Sequence, residues 1–96
     1  MMEGAVLDTL RRLKPQLREL FGITEFAIFG SCARGEDTTE SDIDIVILAM
    51  EQKNGLTVAR AKRYLTEKLG KEVDIGLYDA LRPFVKRRIA RDLIHV

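Results

Sequence analysis

This sequence of 96 residues lacks the features that mark several common classes of protein. It has one cysteine, Cys32, so no disulfide can form within the chain. The longest apolar run, from Ile45 to Met50, is far shorter than the roughly 20 residues that a transmembrane helix needs. Residues Met1 to Gly4 show neither the basic start nor the apolar run of a secretion signal. We therefore expect a cytoplasmic protein with no membrane segment.

The chain also lacks an excess of charge of one sign. It has 16 Lys and Arg against 15 Asp and Glu, and its net charge of +1 argues against an extended nucleic-acid surface. The balance is uneven, however, because the segment from Glu36 to Glu51 has six acidic residues and no basic one. This segment carries −6 and the rest of the chain carries +7. An apolar fraction of 46% and the length suit one globular domain over residues 1–96.

Helical and strand patterns alternate along the chain. We predict helices over residues 3–13 and 15–21, divided by Pro15, which interrupts a helix when it lies in the interior. Strands are predicted over residues 25–29, 42–49 and 73–78, with a helix over 56–69 and a last helix that starts at Asp79 or Pro83. One apolar stripe runs along the first two predicted helices, and a second stripe runs along the last helix. The stripes consist of Val6, Leu10, Leu13, Leu17 and Leu20, and of Phe84, Val85, Ile89 and Leu93. This order predicts a two-layer α/β (α+β) domain.

Three aspartates can meet on one face of this sheet. Asp42 and Asp44 are two residues apart on a predicted strand, so their side chains point to the same side. Asp74 alternates in the same way on the next strand and can join them if the strands are neighbours. Adjacent carboxylates repel each other, and a Mg²⁺ or Mn²⁺ ion between them relieves the repulsion. A solvated strand end is the alternative interpretation.

The turn after the first strand has the residues of a phosphate site. Gly30 allows close approach of a ligand to the backbone, and the hydroxyl of Ser31 and the free N–H groups of a helix start can bind phosphate. Arg34 can stabilise phosphate charge or can simply be solvated. A Gly-Ser pair alone is also an ordinary turn. The combination with an Asp-x-Asp pattern after ten intervening residues is more specific.

Residues 29–35, Phe-Gly-Ser-Cys-Ala-Arg-Gly, followed by Ser-Asp-Ile-Asp at 41–44, resemble the signature of the minimal nucleotidyltransferases. These proteins belong to the DNA polymerase beta superfamily, and the spacing matches the form that acts as an antitoxin beside HEPN-domain toxins. Residues 17–22, 69–74 and 81–83 are also similar to segments of the family. The resemblance implies the nucleotidyltransferase fold, a small mixed sheet of three to four strands flanked by helices.

The resemblance also implies roles for individual residues. Gly30 and Ser31 would hold the triphosphate of ATP, and Arg34 and Ser41, which also match the motif, would belong to the same nucleotide-binding site. Asp42, Asp44 and Asp74 would bind two Mg²⁺ ions, with Mn²⁺ as a substitute, and Asp74 would deprotonate the attacking hydroxyl. The implied activity is transfer of AMP from ATP to a tyrosine hydroxyl of a HEPN toxin. The protein would then be a protein adenylyltransferase and the antitoxin of that toxin.

Two other functions fit the same residues. The chain could neutralise a toxin by binding alone, or it could transfer a nucleotide to a small molecule. The sequence does not fix the base of the nucleotide, the number of AMP groups transferred or whether the protein forms homo- or hetero-oligomers. The basic residues near the end of the chain also have two interpretations, a solvated helix face or a docking surface for an acidic partner. They are Arg82, Lys86, Arg87, Arg88 and Arg91.

Overall fold

The computed structural model describes residues 2–30 and 42–96, which form a four-stranded mixed sheet and three helices. Helix α1 is Met2–Phe21, strand β1 is Ile23–Phe29 and strand β2 is Ile43–Met50. Helix α2 is Gly55–Leu69 and strand β3 is Val73–Leu77. A 3₁₀ turn over Tyr78–Ala80, helix α3 at Pro83–Ala90 and strand β4 at Ile94–His95 complete the chain.

The strands lie in the order β3-β2-β1-β4. β1 pairs antiparallel with β2 and with β4, whereas β2 pairs parallel with β3. The parallel pair requires the crossover that α2 supplies. The side chain of Asn54 starts α2 by accepting from the backbone N–H of Leu56 at 2.8 Å, and Gly70 ends it in a left-handed conformation.

The two faces of the sheet carry cores of different size. Helices α1 and α2 cover one face, where Leu10, Phe26 and Leu65 are among the fully buried side chains. Helix α3 covers part of the other face, where Ile89 packs with Ala27 and Val46. This arrangement confirms the predicted two-layer α/β class and the small mixed sheet flanked by helices.

The predicted break at Pro15 is wrong. A single helix, α1, runs from Met2 to Phe21 with Pro15 inside it. Leu10 and Leu17 lie on either side of the proline, and both are almost fully buried against the sheet. Packing of the apolar stripe on both sides of Pro15 stabilises the helix despite the hydrogen bond that proline cannot make.

The structure corrects the predicted burial of the apolar stripes and decides between the two predicted starts of the last helix. Leu20 and Phe84 belong to the predicted apolar stripes, but their side chains are 59% and 54% exposed. The last helix begins at Pro83 and not at Asp79, which lies in the 3₁₀ turn, because proline suits the first turn of a helix. Within the described ranges, no helix is both long enough and apolar enough to cross a membrane.

Candidate active site

Three strand ends meet at one edge of the sheet. β1 ends at Phe29, and Gly30 follows it directly, while β2 and β3 start at Ile43 and Val73. Because β2 is parallel to β3 and antiparallel to β1, these ends share an edge. The backbone N–H of Ile43 donates to the carbonyl oxygen of Glu72 at 3.0 Å and joins the starts of β2 and β3.

Asp44 and Asp74 are directly paired at this edge. They are register partners in the parallel β2–β3 ladder. Partners on neighbouring strands lie about 4.8 Å apart and point to the same face of the sheet. Asp44 is half-buried and Asp74 is exposed to solvent. Two carboxylates therefore lie side by side where a ligand can reach them.

Gly30 lies against the carboxylate of Asp44. A Cβ atom at this position would lie 2.5 Å from Oδ2 of Asp44, a distance that no real Cβ contact tolerates. The backbone of Gly30 also has a φ of +73°, which residues with a side chain rarely adopt. The backbone conformation therefore favours glycine here, and a larger residue would fit only if the carboxylate of Asp44 moved.

The sheet alternation places these carboxylates away from the main core. Ile43 and Ile45 flank Asp44 in sequence and are buried against α1 and α2. Asp44 thus shares the opposite face with Val46, which packs under α3. In β3 the residue two positions after Asp74 is Gly76, which pairs with Val46 and leaves open space above the strand. The carboxylates lie beside α3 on the thinly covered face.

The other predicted site residues are placed only in part. Ser31, Arg34 and Ser41 lie outside the described residues. Asp42 is exposed and comes just before β2, which starts one residue later than predicted, so strand alternation does not fix the direction of its side chain. Among residues 2–30 and 42–96, no group of three or more His, Cys, Asp or Glu side chains is arranged to hold a metal ion.

The paired carboxylates nevertheless have the chemistry of a site for a hard cation. Mg²⁺ prefers carboxylate oxygens and commonly uses one or two of them together with water and substrate phosphates. Asp44 and Asp74 supply that number of carboxylates from neighbouring strands, and Asp42 lies two residues before Asp44 in the chain. The residues present therefore fit a magnesium ion bound jointly by protein and nucleotide.

A second charged contact lies at the opposite end of β3. Lys53 donates from Nζ to the carboxylate of Asp79. This hydrogen bond and the positive charge of Lys53 lower the pKa of Asp79, and the charge of Lys86 adds to the effect. Both side chains of the pair are more than half exposed. The contact links the end of β2 to the 3₁₀ turn and does not belong to the carboxylate pair.

Sequence comparison finds relatives that cover almost the whole chain. The family model of the nucleotidyltransferase domain matches residues 10–96. A protein of Methanocaldococcus jannaschii, provisionally named a protein adenylyltransferase, is 39% identical over 92 residues. That alignment covers 95% of this chain and 94% of the relative.

Two solved structures share the fold. A provisionally named minimal nucleotidyltransferase superimposes with a TM-score of 0.76 at 32% identity, over 98% of this chain and 95% of the other. The crystal structure of a toxin–antitoxin with AMP-PNP gives a TM-score of 0.70 at 20% identity, over 99% of this chain and 72% of the other.

Proposed function

Because the chain belongs to the nucleotidyltransferase domain family and is an enzyme of that family, we propose that it moves AMP from ATP to a hydroxyl group of a partner protein. The observation that carries this proposal is the carboxylate pair at the edge of the sheet. Asp44 and Asp74 face the same side, next to a glycine whose lack of a side chain leaves room for the carboxylate of Asp44. The relative named a protein adenylyltransferase supports a protein acceptor.

The proposed reaction exchanges one bond to phosphorus for another. The acceptor oxygen forms a bond to the α-phosphorus of ATP, and the bond from that phosphorus to the pyrophosphate oxygen breaks. The hydroxyl proton leaves to a carboxylate, for which we propose Asp74 because it is the more exposed of the pair. The products are the adenylylated protein and pyrophosphate.

In this proposal each group of residues at the sheet edge has its own role in the reaction. Asp42, Asp44 and Asp74 would hold Mg²⁺, two ions in the complete complex, and Mn²⁺ could replace it. When bound, the ions would neutralise the charge that develops on the phosphate oxygens and on the leaving pyrophosphate. Gly30 keeps Asp44 in place by leaving its carboxylate unobstructed. Ser31, Arg34 and Ser41 would contact the triphosphate.

For the partner we propose a toxin of the HEPN class with a tyrosine as acceptor, so that the chain serves as the antitoxin. The shared fold with the antitoxin-containing structure supports a toxin partner. The resemblance of residues 29–35 and 41–44 to the antitoxin form of the family supports the HEPN class. We also propose that the chain works as one domain and acts in the cytoplasm, where ATP is abundant.

The decisive experiment measures transfer of label from α-labelled ATP, in the presence of Mg²⁺, to the purified protein encoded beside this chain. We expect Asp44→Asn and Asp74→Asn each to lower the transfer rate at least about 100-fold, because each loses a charge that a cation requires. Asp8→Asn is the matched control, since Asp8 is an exposed residue of α1 on the other side of the sheet.

The same experiment separates the alternatives. Unlabelled partner that is still neutralised by the Asp44→Asn chain would identify an antitoxin that acts by binding alone. Label on an aminoglycoside and none on a protein would identify a small-molecule transferase. Equal transfer by the wild type and by the Asp44→Asn and Asp74→Asn variants would contradict the proposed role of the carboxylate pair.

A further inference from the structure

The outer face of α3 combines an exposed aromatic ring with three arginines. Phe84, Arg87, Arg88 and Arg91 follow the spacing i, i+3, i+4 and i+7, which places them on one side of a helix. We call these four residues the arginine strip. They line a shallow surface groove of about 460 Å³, to which no other residue of the described ranges contributes. All four side chains are exposed.

Phe84 belongs to neither hydrophobic core of the part of the chain that the structure describes. The inner side of α3 is formed by Val85 and Ile89, which pack with the core on the sheet that includes Ala27 and Val46. Phe84 points away from this core and is 54% exposed. A phenylalanine side chain buries about 150–250 Å² when it is fully covered. A binding partner that covers the exposed part of Phe84 would therefore gain favourable apolar contact.

The three arginines of the strip, Arg87, Arg88 and Arg91, are also not held by ion pairs within the described residues. A run of basic residues alone is usually a solvated helix face. Arginine around an aromatic residue is instead the composition enriched at protein interfaces, where both residue types dominate the binding energy.

The strip lies on the same face of the sheet as the carboxylate pair. Val46, under α3, is two residues after Asp44 on β2, which corresponds to about 7 Å along the strand. A protein bound at α3 therefore lies over the same face of the sheet as the carboxylates. Because the strip and the carboxylates share a face, its occupant is taken to be the protein that receives the nucleotide. This step rests on the proposed function.

The charges of the chain indicate how that protein is oriented. The three aspartates of the candidate site, Asp42, Asp44 and Asp74, are negatively charged, whereas the strip carries three positive charges. An acidic segment of the acceptor is repelled from the first and attracted by the second. We propose that the arginine strip is the docking surface for the acceptor protein and that it binds an acidic segment of it, with an apolar side chain against Phe84.

The size of the strip predicts weak docking. Helix α3 has eight residues and is about 12 Å long, so the strip covers only part of the roughly 800 Å² that each partner contributes to a stable interface. Contacts of this kind form and break quickly and weaken with added salt. An enzyme that must release each modified partner requires this behaviour.

The test reverses the charges of the strip. We expect the triple variant Arg87→Glu, Arg88→Glu, Arg91→Glu to raise the KM for the neighbour-encoded protein about tenfold, with kcat and the KM for ATP within about twofold of wild type. Phe84→Ala should raise the same KM several-fold. The matched control is Arg60→Glu, Lys62→Glu, Arg63→Glu, three exposed residues of α2 on the other side of the sheet. Circular dichroism checks that all variants are folded.

Binding without ATP distinguishes this proposal from the proposed function. Calorimetry should show that the strip variant binds the neighbour-encoded protein about tenfold more weakly and that wild-type binding weakens with salt. If wild type binds but transfers no label, the proposed function fails while the docking surface stands.

Four results would overturn the docking surface. One is wild-type chain that does not bind the neighbour-encoded protein, and another is equal binding by the wild type and the strip variant. The third is a change in the KM for ATP alone, which would assign the arginines to the triphosphate. The fourth is a strip variant that loses binding to a single-stranded RNA oligonucleotide but still binds the neighbour-encoded protein as wild type does. That result would assign the arginines to nucleic-acid binding.

Discussion

Gly30 and Gly70 share a left-handed backbone but have different surroundings. Their φ angles are +73° and +69°. A Cβ atom on Gly30 would collide with Oδ2 of Asp44, whereas a Cβ atom on Gly70 would meet nothing within 4 Å. The two glycines therefore separate the cost of the backbone conformation from the effect on the carboxylate pair.

We expect Gly30→Ala and Gly70→Ala to lower the free energy of unfolding by about 1 kcal/mol each, the usual cost of this backbone conformation. Only Gly30→Ala should also displace Asp44 and lower the transfer rate, by at least about tenfold. Thermal unfolding and the label-transfer assay on both variants test this. Equal rates for the two variants would show that Gly30 does not position Asp44.

The Lys53–Asp79 pair predicts a pH dependence of stability. Because the pKa of Asp79 is lowered from 3.8 in the folded chain, the pair stabilises the fold above that value and loses its effect as the pH falls through the folded pKa. We expect Asp79→Asn to melt at a lower temperature than wild type at pH 7, with a gap that closes below pH 3.8. A gap of constant size over this range would contradict the assignment.

At the scale of the element, α1 shows that packing can outweigh a local preference. Pro15 lies in the interior of the helix and is exposed, so its ring adds nothing to the core. Pro83 lies in the first turn of α3, where a missing N–H costs nothing. The same residue type is therefore unfavourable in one helix and favourable in the other.

We expect Pro15→Ala to raise the free energy of unfolding by about 2 kcal/mol, because the new N–H can donate to the carbonyl oxygen of Arg11 and the ring no longer crowds that turn. Pro83→Ala should lower it by about 0.5 kcal/mol, since the unfolded chain gains freedom. Urea denaturation measures both changes. Destabilisation by Pro15→Ala would mean that the proline stabilises the helix.

The limits of sequence-based prediction appear clearly in these elements. Long, regular patterns predicted α2 and the three longer strands, because apolar residues repeat every 3.6 residues in a helix and every two residues in a strand. Strand β4 has two residues and no alternation to detect. Two contacts distant in sequence stabilise it. The backbone N–H of Val96 donates to the carbonyl oxygen of Phe26 at 3.1 Å, and Nζ of Lys14 donates to the carbonyl oxygen of Val96 at 2.9 Å. Such distant contacts leave no local signal.

At the scale of the whole molecule, the sequence predicted the face of the carboxylates and made their meeting conditional on the order of the strands. Alternation alone places Asp44 and Asp74 opposite the buried isoleucines. Their direct pairing depends on the parallel register of β2 and β3, which the α2 crossover sets. The exposure of Phe84 was likewise hidden, because its spacing from Val85 and Ile89 is compatible with an apolar face.

The unequal cores of the two sheet faces have a consequence for how this protein can evolve. The large core under α1 and α2 holds most of the buried apolar residues, while the carboxylates and the arginine strip lie on the other face. If the arginine strip is the docking surface that we propose, substitutions on the α3 side would change the preferred partner with little loss of stability. A lineage of such proteins could diversify its targets rapidly while the scaffold beneath stays almost unchanged.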